Sequence, residues 1–497
     1  MGTDPIYRNF MQGKWGLSPF ICGAASVAAF APLGVYPLLL VTLTWLAYAW
    51  SESTPRRCFA AGFWFGVGFF GAGVSWIYVS MHDIGGMPAP VAGVATALFC
   101  GFLALFPAAA GWLQARIPAS APVRVCLLIP ASWVLFEWWR SWVLTGFPWL
   151  SLGYAAVGWP LQGYAPVGGV FILSFLTAAL AGMLYLAAAR RSAYWIGAIL
   201  ALIAIGQALR YVDWTSTQGA PVSAALLQGN IEQSLKFDPR RYAHTLDTYA
   251  RLAEGTRARL IVFPETAVPR FLDNVELDYV RRLDAVARRN DGDLLLGVPT
   301  RRGADEYFNS VITLGVSPVQ AYHKVHLVPF GEFVPPGLGW TLRMVNIPMS
   351  DFSSGSADQA LLAAAGQTIA PNICYEDAFG DEIARRLPAA TLLVNLSNVA
   401  WFGDSLAPGQ HLQIARLRAI ETGRMYLTAA NTGITAAIAR DGNVVARLPQ
   451  FSEGRLEVAA QGYSGATPYV RWRDWPIVLA SLALLVVFSA IARRRSR

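Results

Sequence analysis

The chain has 497 residues, of which 55% are hydrophobic and only 14% charged, with a mean hydropathy of +0.40. Soluble domains carry about 25% charged residues, so this composition excludes an ordinary soluble protein and points to a membrane one. The net charge of +8 comes largely from Arg and Lys flanking the apolar runs, which leaves no need for a nucleic-acid partner.

A spanning helix needs about 20 mostly apolar residues. In chain order the candidate spans are 17–31, 33–50, 58–81, 90–114, 122–140, 168–189, 194–211 and 475–492. The first is short and meets the second at Ala31-Pro32-Leu33-Gly34, so it reads as a weak span or a hairpin arm. Basic residues fall on alternate sides. Arg8 and Lys14, Arg56 and Arg57, Arg116 and Arg124, Arg190 and Arg191, and Arg493 to Arg495 with Arg497 flank the spans on one side, whereas 82–89 and 141–167 hold no Lys or Arg. The positive-inside rule then predicts cytoplasmic termini and an exported, periplasmic central segment. No small-residue cleavage pattern follows the first run, which argues against a removable signal peptide.

Three domains are expected: a membrane domain over 1–214 with about seven spans, an exported α/β domain over 215–470, and a last span with a basic tail over 471–497. In the fifth span Glu137 and Arg140 stand one turn apart. They are open to two readings, an i,i+3 pair or a functional intramembrane site. Phe147, Pro148 and Trp149 follow in an apolar outer loop that suits interfacial anchoring.

In the exported segment, strands are predicted at 222–228, 259–263, 293–298, 308–314, 319–325, 368–373, 391–395, 426–430 and 434–439, with helices at 239–254, 274–290 and 407–423. Helices between buried strands suggest an α/β sheet covered on its outer faces. The segment 335–360 is long and weakly patterned, and its Leu338, Trp340, Leu342, Met344, Val345, Ile347 and Met349 suit a lid dipping into lipid.

Cys22, Cys58, Cys100 and Cys126 lie in or beside spans and read as small apolar residues, whereas Cys374 is alone in the exported domain. With no partner there, a structural disulfide is excluded, and a free thiol in an oxidising compartment needs a reason. Three predicted strands end in reactive groups: Glu265 in "RLIVFPET", Lys324 in "YHKVHLVPFGE" and Cys374 in "NICYED". A carboxylate base, an ammonium and a thiol form a workable nucleophile set. His323 and His326 flank Lys324, but residues three apart on a strand face opposite ways, so no metal site is read from them. Nucleotide-binding glycine patterns are absent and no cofactor is expected.

The blocks "FPET", "HKVHLVPFGE" and "NICYED" resemble the signatures of the carbon–nitrogen hydrolase (nitrilase) superfamily. With "GFPWLSLGY" at 146–154, "QGNIEQSLKF" at 228–237 and "NLSNVAWFGDS" at 395–405, the whole chain is similar to its membrane-embedded branch, the apolipoprotein N-acyltransferase family. The resemblance implies an αββα sandwich and a Glu265–Lys324–Cys374 triad of base, oxyanion stabiliser and nucleophile. It further implies supporting roles for Glu332, Tyr375 and Glu376, and lipid contact by Phe147, Trp149, Phe237, Trp340, Trp401 and Phe402. Phe237 departs from the Trp that relatives often carry. The implied reaction is ping-pong: a membrane phospholipid acylates Cys374, and the α-amine of a diacylated apolipoprotein takes the acyl chain. The implied setting is a monomer in the bacterial inner membrane. A membrane-tethered amidase using water as acceptor is the alternative, and a transporter is disfavoured because the spans lack paired broken helices.

Overall fold

The computed structural model describes residues 17–51, 53–303, 305–334 and 351–495, and divides the chain into two compact units. One comprises residues up to Ile77, Pro90–Val212 and Trp472 onward; the other comprises Tyr78–Ala89 and Asp213–Arg471.

In the helical unit, helices occupy each of the eight apolar runs. Ala89–Ala115, Ala121–Arg140, Pro160–Arg190 and Trp475–Arg494 are long and apolar enough to cross a membrane, and a fifth passes if the bent pair Pro55–Gly73 and Ile77–Ile84 is one span. Leu17–Ala29 and Ala193–Leu209 are shorter apolar helices. Tyr36–Ser51 has 16 residues, a rise of about 24 Å against a hydrocarbon core of about 30 Å. The expected third span, 58–81, therefore differs from the observed element: its helix stops at Gly73, the chain bends by 56°, and Tyr78–Ala89 packs with the other unit. Glycines set the close helix contacts. A Cβ on Gly23 would stand 1.9 Å from the Phe65 carbonyl oxygen, and one on Gly68 would stand 2.0 Å from that of Phe20, so the helices Leu17–Ser26 and Pro55–Gly73 meet backbone to backbone.

Glu137 and Arg140 are both buried. Arg140 donates to the carbonyls of Phe147 and Trp149 (2.7 Å for the latter) and to Ser151 Oγ at 3.2 Å. Glu137 Oε1 accepts from Leu152 N and from Trp133 Nε1, each at 2.8 Å. Both side chains therefore hold the 147–152 loop, a role that neither sequence reading contained. Buried Trp149 packs on Trp76 and Phe147, with ring centroids 5.3 and 6.4 Å away.

The second unit is an αββα sandwich. One sheet orders its strands β12-β1-β2-β3-β4-β5 and the other β11-β10-β9-β8-β7-β6. The first contains β1 (Thr215–Gln228), β2 (Leu260–Val262), β3 (Asp293–Arg302), β4 (Glu306–Gly315), β5 (Ala321–His323) and β12 (Gly454–Gly465). The second contains β6 (Leu362–Ala364), β7 (Gln367–Ile373), β8 (Leu392–Ser397), β9 (Tyr426–Ala430), β10 (Ala436–Ile438) and β11 (Val444–Arg447). Strands β1, β2 and β3 run parallel, as do β7, β8 and β9.

Between the sheets lies a core that includes Leu226, Val262, Leu295, Ile373, Val394 and Leu427. The helices Tyr242–Glu254 and Leu277–Arg289 cover the outer face of the first sheet through Leu246, Tyr249, Leu283 and Val286. Ala407–Thr422 covers the second through Leu412, Ala415 and Ala419. Parallel strands buried on both faces explain why these runs read as continuous Val, Leu and Ala rather than as alternation. The residues of the expected lid, Leu338 to Met349, lie outside the described residues.

Truncating one member of a buried polar cluster strands its partners, at a cost of about 3 kcal/mol or more. Arg140→Leu is therefore expected to lower the thermal unfolding midpoint of the detergent-solubilised protein markedly. Glu137→Gln, which keeps an acceptor oxygen for Leu152 N, is expected to stay near the wild-type value.

Candidate active site

Three strand ends bring the reactive groups together. Glu265 follows β2 in a corner that the next strand accommodates: a Cβ on Gly297 of β3 would stand 2.2 Å from the Pro264 carbonyl oxygen. Thr266 then turns with φ +47°. Lys324 follows β5, its N–H bonded to the Asn309 carbonyl at 2.8 Å, and its own carbonyl accepts from Gly355 N at 2.8 Å. Cys374 follows β7 with φ +53°, a left-handed conformation that costs a non-glycine residue about 1–3 kcal/mol and gathers at functional sites. The Cys374 carbonyl accepts from Asn395 Nδ2 at 3.1 Å, which ties the corner to the neighbouring parallel strand β8.

Lys324 is 1% exposed. Its Nζ stands 3.3 Å from Glu265 Oε1 and 2.8 Å from Glu332 Oε2. Asn309 Nδ2 bridges the two carboxylates, at 2.7 Å from Glu265 Oε1 and 2.8 Å from Glu332 Oε1. Glu332 Oε2 also accepts from Val328 N at 2.9 Å. The Cys374 thiol lies within electrostatic reach of Glu265 and Lys324. Sequence-predicted Glu265, Lys324, Glu332 and Cys374 thus form one contiguous cluster.

The electrostatics divide the roles. Burial and the adjacent Glu265 charge push the Cys374 thiol up to about 12, with Lys324 opposing them. Burial would raise Glu265 as well, but Lys324 and Lys236 outweigh it and hold the carboxyl below its ordinary value. Burial would lower Lys324, yet Glu332 and Glu265 raise it above the usual lysine range. At neutral pH the site therefore holds a protonated thiol against an ionised base and a fixed cation. Chemically, this arrangement can let a thiol hand its proton to a carboxylate as its sulfur bonds an electrophile, with an ammonium placed to meet the developing oxyanion.

Glu376 is buried and organises the backbone. It accepts from Tyr322 Oη at 2.8 Å, from Val325 N at 2.7 Å and from Ile373 N at 2.6 Å. It thereby locks the strand end carrying Cys374 to the segment carrying Lys324. Tyr375 is half-buried, with its ring centroid 5.1 Å from that of Phe379 and 5.9 Å from that of His326. Trp401 and Phe402 lie half-buried on the turn Val399–Phe402, just after β8. Phe237 is half-buried in the loop after β1. Phe147 and Trp149 belong to the helical unit, and Trp340 lies outside the described residues. His323 and His326 take separate partners, Ser310 Oγ at 2.8 Å and Glu382 Oε1 at 3.0 Å.

Three site residues were not singled out from sequence. Asn309 sits inside the apolar run "FNSVITL", and a polar side chain at a buried strand position was the available signal. Lys236 lies within the quoted "QGNIEQSLKF" block beside Phe237. It is 3% exposed, donates to the Glu265 carbonyl at 3.1 Å, and is lowered to about 8 by burial against the opposing pull of Glu265 and Cys374. His411 lies on the helix Ala407–Thr422, with its Nε2 3.0 Å from buried Asp377 Oδ2 and 3.4 Å from the Cys374 carbonyl. Burial opposes its charge, but Asp377 prevails and raises it above the ordinary histidine value.

Comparison with known proteins places the chain in a family. Residues 22–183 match the Apolipoprotein N-acyltransferase N-terminal domain and 223–469 match Carbon-nitrogen hydrolase. The chain is 45% identical over 490 residues to the apolipoprotein N-acyltransferase of Nitrosomonas europaea, covering 97% of this chain and 98% of that one. This chain belongs to the apolipoprotein N-acyltransferase family. The enzymes of that name from Methylococcus capsulatus (43% identity, 94% of each chain) and Chromobacterium violaceum (42%, 96% of this chain and 94% of that one) are also similar.

The charges around Cys374 predict opposite shifts in its titration. Glu265→Gln removes a charge that raises the thiol pKa, so alkylation of Cys374 should begin at lower pH. Lys324→Met removes one that lowers it, so alkylation should need higher pH. Peptide mass spectrometry after brief iodoacetamide treatment over about pH 6–10 reads both. Lys236→Met removes a further cation and should move the profile in the same direction as Lys324→Met.

Proposed function

We propose that Cys374 carries the acyl group in the lipoprotein N-acylation to which family membership assigns this chain. The observation that carries the assignment is the buried Lys324 ammonium held between Glu265 and Glu332, with the Cys374 thiol within their electrostatic reach. In the first half-reaction the thiol proton passes to Glu265 and the Cys374 sulfur bonds the ester carbonyl carbon of a membrane phospholipid. Lys324 stabilises the oxyanion. The ester C–O bond then breaks, and a lysophospholipid leaves with the proton from Glu265, giving a thioester.

In the second half-reaction the neutral α-amine of a diacylglyceryl-cysteine at an apolipoprotein N-terminus attacks the thioester. Glu265 takes the amine proton, the C–S bond breaks and the thiolate recovers that proton. The product is an amide, and neither metal nor cofactor enters a step. Splitting one transfer between two bulky lipids into two displacements lets each lipid occupy the site in turn.

The remaining assignments follow the same reading. The chain is a monomer with eight spans, in the domains 1–214, 215–470 and 471–497, with both termini cytoplasmic and the catalytic domain periplasmic at the bacterial inner membrane. The alternation of basic flanks supports this orientation. Glu332 holds Lys324, Glu376 and Tyr375 shape the turn beside the nucleophile, and Phe147, Trp149, Phe237, Trp340, Trp401 and Phe402 contact lipid chains.

Incubation of the purified protein with phospholipid should give an acyl adduct on the Cys374 peptide, and a diacylated lipopeptide should discharge it as an N-acyl product rather than free fatty acid. Cys374→Ser should give no thioester, and Glu265→Gln and Lys324→Ala should each lose about 100-fold or more in transfer rate. Wild-type protein that acylates lipopeptide with no adduct on Cys374 would overturn the proposal, and release of fatty acid alone would make water the acceptor.

A further inference from the structure

The corner that presents Cys374 is held from both sides by buried polar side chains that take no part in the proton transfers assigned to the triad. On its N-terminal side, Ile373 N donates to Glu376 Oε2 at 2.6 Å. On its C-terminal side the Cys374 carbonyl meets two donors, Asn395 Nδ2 at 3.1 Å and His411 Nε2 at 3.4 Å. The same Nε2 stands 3.0 Å from Asp377 Oδ2. Both of these neighbours are acceptors, so Nε2 carries a proton whichever state the ring adopts. Asp377 is fully buried and His411 nearly so, and either charge left alone there would be strongly disfavoured.

Asn395 is fixed as firmly. Its Oδ1 accepts from Thr428 Oγ1 at 3.2 Å, and its Nδ2 donates to Asn372 Oδ1 at 2.6 Å as well as to the Cys374 carbonyl. Asn372 Oδ1 also accepts from Tyr426 Oη at 2.8 Å. This buried chain crosses β7, β8 and β9 and ends on the carbonyl of the nucleophile. His411 reaches the same oxygen from the covering helix Ala407–Thr422. Cys374 has φ +53°, a conformation that a non-glycine residue keeps only when its surroundings hold it. The direction of its Cα–Cβ bond, and hence the place of Sγ, follows from that turn.

We propose that His411, held by Asp377, acts with Asn395 as a clamp on the Cys374 carbonyl that fixes the left-handed turn and keeps the thiol aimed at Glu265 and Lys324. These are positioning residues: none of them exchanges a proton with substrate, and their effect passes through the backbone of Cys374. The inference rests on the nucleophile role proposed for Cys374 and adds a requirement that the triad alone does not contain. Releasing the carbonyl lets the turn relax to an ordinary φ, which swings Sγ out of the buried position beside Glu265.

The test compares the full-length wild type in detergent with His411→Leu, His411→Gln and His411→Leu/Asp377→Leu. His411→Leu should lower the single-turnover rate of Cys374 acylation by phospholipid about 10- to 100-fold at saturating lipid, with the half-saturating lipid concentration near the wild-type value. His411→Gln keeps an N–H donor and should recover most of that loss. The double variant removes both buried charges together, so its thermal midpoint should return close to wild type while its rate stays low, which separates positioning from folding. A second readout needs no lipid. Burial and Glu265 push the Cys374 thiol up to about 12, so a thiol released from that position should be alkylated by iodoacetamide from a lower pH. That shift is expected in His411→Leu and in the double variant, and not in His411→Gln. A double variant with the wild-type rate and alkylation profile, or His411→Gln no better than His411→Leu, would overturn the clamp. Wild-type transfer without a Cys374 adduct would overturn the acyl-carrier reading, and the alkylation comparison would still decide the clamp.

Discussion

The active unit depends on an ammonium taken out of water. Lys324 is almost fully buried, a state that costs several kcal/mol for an unpaired ion. Glu265 and Glu332 compensate it, and Asn309 fixes the spacing between the two carboxylates. The pairing has a chemical consequence. Lys324, together with Lys236, keeps Glu265 ionised next to a thiol that burial keeps protonated. Without that cation burial would push Glu265 up toward its protonated form, whereas the thiol, which Lys324 pulls down, would stay protonated.

The two-sheet architecture makes this arrangement rigid. Glu265, Lys324 and Cys374 each stand just past a strand end, where the sheet fixes the backbone and the loop leaves room for substrate. Both Thr266 and Cys374 adopt left-handed φ values, so the chain turns sharply where the reactive groups are displayed. Glu376 then joins the two sheets by accepting from Ile373 of β7 and from Tyr322 and Val325 around β5. The described flank of the 335–360 segment is fastened to the same place, through Phe352 N on the Glu332 carbonyl and Ser353 N on the Tyr307 carbonyl.

Much of this was legible in the sequence because the strands that carry chemistry are buried on both faces. Val, Leu and Ala runs ending in "PET", "HK" and "CYED" announce both a strand and the reactive group at its end. Strands β12 and β11 were not legible: their half-exposed, charged patterns, "GRLEVAAQGYSG" and "VVAR", resemble loops until their pairing partners are known. Asn309, Lys236 and His411 escaped for a related reason. Their significance lies in contacts with residues 15 to 60 positions or more away, which local periodicity does not encode. Glu137 and Arg140 show the same limit: their spacing left open a mutual pair or a functional intramembrane site, and neither reading contained their hydrogen bonds to the 147–152 loop. Along the third apolar run hydropathy continues past Gly73, whereas the backbone bends there by 56°.

The central claim is that Lys324 is held by compensating carboxylates and is also needed for the chemistry, so the two roles should separate. Thermal unfolding and acyl transfer measured on Lys324→Met and on Lys324→Met/Glu332→Gln test this directly. The single variant leaves two buried carboxylates without their cation and should be strongly destabilised. The double variant neutralises one of them and should recover much of the lost stability, with no recovery of acyl transfer. A double variant no more stable than the single one would contradict the charge-compensation account, and one that regained transfer would contradict the role of the ammonium.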